Sequence, residues 1–312
     1  MFSISLYNDS QKSIWDDFVK TARNEHFMFL RDYMEYHKSR FQDHSLMIYQ
    51  DSKLIALLPA HTQDSNLVSH GGLSFAGLII NKSMKLYKML ELFEVLIQFL
   101  KDHDFQELIY KAIPSIYHKQ PATEDLYALT KYQAILIKRD ASSVIDLRSA
   151  LGFEKGRKGC IKKAQKENLR IKVDDSYETF FEMMAEHLDN KYSAKAVHSL
   201  EEINYLKSLF PENIKLYTAH KEQKLIAGIL IYINHRTVKT QYISSNDLGR
   251  EFGAIDLIVH QLITEDFKSY DFFDFGTSVN ASEYGFNQSL MAQKEMFGAR
   301  TLTHDTYRIK LQ

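Results

Sequence analysis

Residues 45–58 read Ser-Leu-Met-Ile-Tyr-Gln-Asp-Ser-Lys-Leu-Ile-Ala-Leu-Leu, and residues 216–229 read Leu-Tyr-Thr-Ala-His-Lys-Glu-Gln-Lys-Leu-Ile-Ala-Gly-Ile. Each is an apolar strand, a short polar turn, and a Lys-Leu-Ile-Ala stretch that opens a second strand. Lys53 and Lys224 stand at equivalent places, 224 − 53 = 171 residues apart. The flanks repeat as well. An amphipathic helical region precedes each hairpin: Ile14 to Phe41, with Trp15, Phe18, Val19 and Ala22 at helical spacing, and Tyr177 to Phe210, with Phe180, Phe181, Met184 and Leu188. A strand follows each (Leu67–Ile80 and Thr237–Ser245). Then comes a helix (Leu86–Lys101 and Ala254–Phe267) and a final strand (Glu107–Ala112 and Phe272–Phe275). The pattern predicts two similar α/β units, residues 1–145 and 146–312. Meander strands followed by a crossover helix give each a mixed sheet.

Composition sets the outer bounds. At 312 residues the length suggests about two domains. Hydrophobic residues make up 45% and charged residues 25%, which excludes a disordered, collagen-like or coiled-coil chain. Lys+Arg 39 against Asp+Glu 40 argues against a globally basic DNA binder, although a local basic patch remains open. The single cysteine, Cys160, excludes an internal disulfide and any multi-thiolate metal site. The histidines show no metal-ligand spacing. No stretch is long and apolar enough for a membrane span, and Met1–Ser5 lacks signal-peptide character, so the expected location is the cytoplasm.

The order of elements resembles the GNAT acyltransferase fold. Two such units in one chain resemble the Fem-type peptidyltransferases, which build peptidoglycan cross-bridges, and the broader FemAB-like, BioF2-like acetyltransferases. The likeness is strongest in Asp271-Phe-Phe-Asp-Phe-Gly276, a polar loop, and Gln293-Lys294-Glu295-Met296-Phe297-Gly298. The family signature there is an aromatic–Lys pair followed by Phe-Gly; Gln293 replaces the aromatic. The resemblance implies an acyl or aminoacyl transfer onto a cell-surface glycan or peptidoglycan precursor, nucleotide-linked or lipid-linked. It implies acyl-CoA or aminoacyl-tRNA as co-substrate and no tightly bound cofactor. Lys294 would contact the donor or developing negative charge. In such a unit the strand Thr240–Asn246 would lie along the donor acyl group; Gln241 and Tyr242 point to opposite faces by the two-residue period, so one of them faces the site. Tyr242 reads either as that residue, its phenol donating to a leaving group, or as a buried tyrosine with a satisfied hydroxyl. Asp274 or Glu283 would be the nearest general base.

The GNAT loop for coenzyme A has the form Q/R-x-x-G-x-G/A. Arg250-Glu-Phe-Gly253-Ala254-Ile255 matches its Arg and first Gly and breaks at Ile255. Backbone N–H groups at a helix start would face a pyrophosphate there; a plain glycine spacer is the competing reading. Lys155–Lys172 carries eight basic residues against Glu167, 8 − 1 = +7. Lys158, Lys162 and Lys166 share a helical face. The run reads either as a solvated face or, with Arg157, as a phosphate-binding stripe for the acceptor or tRNA. His70 in a glycine-rich turn, and Lys111 and Tyr117 at a strand end, read either as acceptor contacts or as structural turns. The alternative function is a non-catalytic protein binding a phosphorylated glycan on a degenerate GNAT scaffold, favoured by Ile255 and Gln293.

Overall fold

Strand periodicity is realised first in the two hairpins. In the computed structural model, residues 1–192, 197–279 and 285–311 are described, those of 187–192 without side chains. The first hairpin pairs Leu46–Gln50 with Lys53–Leu58, and the second pairs Ile214–Lys221 with Lys224–Ile233. Each carries a β-bulge. Ile48 pairs Ala56 while Tyr49 pairs Leu54, which leaves Ile55 over; Ala219 pairs Ala227 while His220 pairs Leu225, which leaves Ile226 over. The two bulged isoleucines are again 226 − 55 = 171 residues apart and both are buried. A bulge bends and twists its strand, so the repeat extends from residue identities to backbone geometry.

The chain begins with β1 (Phe2–Leu6), α1 (Lys12–Thr21), α2 (Arg31–Met34), β2 (Gln42–Asp43), β3 (Leu46–Gln50), β4 (Lys53–Leu58), β5 (His61–Gln63), β6 (Asn66–Val68) and β7 (Ile79–Ile80). It continues through α3 (Leu86–Asp102), β8 (Glu107–Lys111), α4 (Glu124–Lys131), β9 (Ile135–Asp146), α5 (Lys155–Lys166), β10 (Arg170–Asp174), α6 (Tyr177–Tyr192) and α7 (Leu200–Leu209). It closes with β11 (Ile214–Lys221), β12 (Lys224–Ile233), β13 (Thr237–Ser245), α8 (Asp247–Phe252), α9 (Ala254–Gln261), β14 (Phe272–Thr277), α10 (Gln288–Glu295) and β15 (Arg300–Lys310). Two compact units result: Met1–Asp140 with Thr303–Gln312, and Ala141–Leu302. The sequence reading placed the cut at 145/146 and gave the C-terminus to the second unit. Instead β15 pairs its Thr306–Lys310 antiparallel with β8, which ties the last strand to the first unit.

In the first unit β1, β3, β4 and β7 form an antiparallel sheet in that order, while β8 pairs β6 in parallel and β6, β5 and β2 follow antiparallel. Helix α3 buries Met89, Leu92, Phe93, Leu96 and Leu100, a three-and-four spacing that packs one face into the core with Ile48, Ile55 and Tyr110. Each such fully buried side chain contributes roughly 1.5–3 kcal/mol. In the second unit β10, β11, β12 and β13 form the same antiparallel order. Strand β13 then pairs β14 in parallel, and β14 pairs the end of β9 antiparallel. The expected mixed α/β architecture of two tandem GNAT-like units is therefore present.

Two expectations change. The region Ile14 to Phe41 is not one helix: α1 stops at Thr21 because Ala22 is extended, and single turns follow to His37. Leu67–Ile80 is not one strand either. Between β6 and β7 the backbone leaves the ladder, with the Gly71 N–H donating to His61 Nδ1 (3.0 Å) and the Lys111 N–H to Ser69 Oγ (2.6 Å).

Candidate functional site

The second unit opens a cleft where two parallel strands part. Strand β13 pairs β14 only at Thr237, Val238 and Lys239. Just beyond, Leu230 pairs Tyr242 while Ile231 pairs Thr240, so Gln241 is a bulge that bends β13 away. The gap is a cavity of about 210 Å³, walled by Ser244 and Ser245 of β13, Phe275 of β14, and Gln293 and Lys294 of α10. Arg250 and Ile255 close it from the helices after β13.

Lys294 is 5% exposed, and its ammonium donates to Gly276 O (2.8 Å), Thr277 O (3.1 Å) and Ser278 Oγ (2.9 Å). Gly276 adopts φ +73°, a left-handed turn that brings these oxygens together. Burial pulls the Lys294 pKa down to about 8, against the opposing pull of Asp274 and with the help of the Lys239 cation. Lys239 is itself lowered by burial. Asp274 is wholly buried, and its Oδ1 accepts from Ser142 Oγ (2.6 Å) and the Gly276 N–H (2.7 Å). It does not line the cavity. It is the acidic neighbour of the buried Lys294 and the half-buried Lys239, which suits a positioning group better than a general base open to substrate. Glu283 lies outside the described residues.

The other predicted residues separate. Tyr242 does not line the cleft: its hydroxyl sits 2.7 Å from His198 Nδ1 and accepts from the His198 N–H (3.1 Å), beside Phe181. Burial raises its pKa, which opposes ionisation. The alternation argument failed here because the bulge at Gln241 interrupts the two-residue period. Arg250 does reach the cleft, donating to Ser245 O (2.6 Å) and pairing with Asp247.

Gly253 is not in a free loop. It sits at φ +72° between α8 and α9, its N–H donates to Arg250 O (3.3 Å), and an added Cβ would lie 2.9 Å from Cys160 O of α5. Ala254 is core. This glycine lets α5 approach α9, and its own N–H is spent inside the fold. Sequence reasoning passed over Ser244, whose buried hydroxyl has no hydrogen-bond partner among the described residues and which lines the cleft. A serine two positions past the chosen tyrosine carries no special signal; only the bulge reveals its place.

Helix α5 forms as expected. Its Arg157 bridges to Asp256 of α9 (2.9 Å) and lies 5.0 Å over the Phe297 ring, so it is a packing residue here. Burial raises the Asp256 pKa, and the guanidinium opposes that rise. Lys158 and Lys162 are exposed and line a different cavity, described below.

In the first unit His70 and Tyr117 are buried. Tyr117 packs on Phe75 (4.6 Å) and His26 (5.3 Å). His70 lies between His37 (5.0 Å) and His61 (5.8 Å), and burial, with neighbouring cations, pushes its pKa to about 2. Lys111 donates to Leu73 O and is lowered to about 8 by burial and Lys138. Among the described residues no cluster of His, Cys, Asp or Glu has the geometry to hold a metal, and no helix is long and apolar enough to cross a membrane.

No protein-family model and no curated protein sequence matches the chain. Solved structures do. FemX aligns with TM-score 0.70 at 11% identity, over 99% of this chain and 97% of that one. L-PGS from Bacillus licheniformis aligns with TM-score 0.61 at 10% identity, over 97% and 91%. A tandem GNAT protein from the clavulanic acid biosynthesis pathway aligns with TM-score 0.54 at 9% identity, over 100% and 99%. At these identities the likeness is one of fold, and it bears out the resemblance read from the sequence: the chain has a FemX-like fold with two tandem GNAT-like units.

Proposed function

We propose that the second unit is an acyl- or aminoacyl-transferase that passes its group to an amine or hydroxyl of a cell-surface glycan or peptidoglycan precursor. The observation that carries the reading is Lys294, a buried cation at the wall of a cleft opened by the splay of β13 from β14. The FemX-like fold supports the same class. Acyl-CoA or aminoacyl-tRNA would lay its acyl group in the splay, with Arg250 at the mouth toward donor phosphates. The acceptor nitrogen or oxygen attacks the acyl carbonyl, and a tetrahedral oxyanion forms. The bond to the donor's sulfur or oxygen then breaks, and the acceptor's proton ends on that leaving group. Most of the acceleration is positioning of two bound substrates. Lys294 and donors along β13 such as the Ser244 hydroxyl would stabilise the oxyanion.

Lys294→Ala is expected to lower transfer about 100-fold or more. Because the side chain is buried and bonded to three oxygens, the melting temperature falls too, so rates are compared per folded molecule. Full activity in that variant defeats the assignment.

A second reading has its own support. The Gly253 N–H is engaged and Lys294 is already saturated by three acceptors, as expected of a scaffold that binds a phosphorylated glycan without turnover. Calorimetric titration with acetyl-CoA and with an aminoacyl-tRNA separates the two. Binding of either donor favours the transferase. Binding of neither, with tight binding of a phosphorylated glycan, favours the second reading.

A further inference from the structure

A second cavity, of about 370 Å³, lies against α5 and lies within the range of about 300–1,000 Å³ typical of ligand sites. Its wall is overwhelmingly apolar, with Ile145, Phe153, Ile161 and Ile263 prominent, and it shares only Phe297 with the Lys294 cleft. Lys158 and Lys162, one helical turn apart, are among the residues that line it. Both residues are exposed, and neither ammonium has an ion-pair partner among the described residues. Helix α5 contains no acidic residue, and Arg157, the cation next to Lys158, is already held by Asp256.

An apolar hollow favours a hydrocarbon, because burying its methylenes removes apolar surface from water. Two free cations on one side favour an anion. A sugar or nucleotide would leave its hydroxyls unbonded against Ile and Phe walls, and a neutral lipid would ignore the lysines. We infer that this cavity is a binding site for an anionic amphiphile, one alkyl chain lying in the hollow and a phosphate head held by Lys158 and Lys162. The site is separate from the proposed transfer reaction and stands whether or not that reaction occurs.

The test is calorimetric titration of the full chain with dodecyl phosphate below its micelle concentration. Inorganic phosphate and dodecyltrimethylammonium serve as controls. Saturable one-to-one binding of dodecyl phosphate is expected, about tenfold or more tighter than either control. Lys158→Ala with Lys162→Ala, both at exposed positions, weakens binding about tenfold or more. Thr264→Trp, which fills the cavity from an exposed wall position, abolishes it while the lysines remain. Equal binding of the cationic amphiphile, an unaffected double variant, or no binding by the parent protein overturns the inference. So does association with phosphatidylglycerol vesicles without saturable binding of the monomeric phosphate, since that describes a charged surface and not a cavity.

Discussion

Each unit holds a lysine whose pKa desolvation draws down to about 8, the half-buried Lys111 in the first and the buried Lys294 in the second. Their surroundings differ. Lys111 donates to Leu73 O, and its charge helps to lower the pKa values of His61 and His70, in a region packed with imidazoles and aromatic rings. Lys294 is steadied by Asp274 and stands at the wall of a cleft. The same strand order thus sets its lysine in ring-filled surroundings in one half and at the wall of a cleft in the other. The difference traces to backbone: β13 leaves its parallel neighbour after Lys239 and bulges at Gln241. In the first unit the stretch after β6 folds back among histidines, and its glycines admit the rings. A Cβ on Gly72 would lie 1.9 Å from His37 Nε2.

The largest test of that contrast is steric. Gly72→Ala must displace a buried imidazole, and a loss of about 2–3 kcal/mol is expected, since overpacking costs about 1–3 kcal/mol. Gly253→Ala meets a left-handed φ and the Cys160 carbonyl, and about 1–2 kcal/mol is expected. Urea unfolding measures both. If Gly72→Ala is neutral, the first unit is not filled as described.

The next test uses pH. Both lysines have folded pKa values near 8 against an ordinary 10.5. Above about pH 8 the unfolded chain holds more protons, so stability should rise with pH from about 8 toward 10.5. Below 8 the burden of two buried charges is fully present. Several tyrosines have raised pKa values and act in the opposite sense near pH 10, Tyr110 among them, so the window to measure is pH 8 to 9.5. Denaturation midpoints should rise across it. Lys111→Met and Lys294→Met should each remove part of the slope, and an unchanged slope in either variant removes that lysine from the account.

The smallest effect belongs to the hairpin turns. Asp51 and Ser52 both have positive φ (49° and 63°), the two-residue turn that favours glycine at its second position. Of the second turn's two residues, Glu222 alone does (φ 55°). Ser52→Gly should stabilise by about 0.5–1 kcal/mol, whereas Gln223→Gly should give no gain. Equal gains in thermal melts would mean the two turns are alike after all.

Much of this architecture was legible in the residues themselves. The Lys-Leu-Ile-Ala repeat, the apolar spacing of α3 and the basic run of α5 are local patterns, and local periodicity reports which face of an element is buried. They sufficed for two mixed α/β units; Lys294 was singled out by the likeness of its Lys-Glu-Met-Phe-Gly segment to the Fem-type signature. Other outcomes depended on partners far away in the chain. Tyr242 was drawn off by His198, Gly253 was needed by α5, and the last strand was claimed by β8 almost 200 residues earlier. The opening of the cleft itself turns on one extra residue in β13, and a bulge is decided by how two strands share a ladder, a property that neither strand's sequence carries alone.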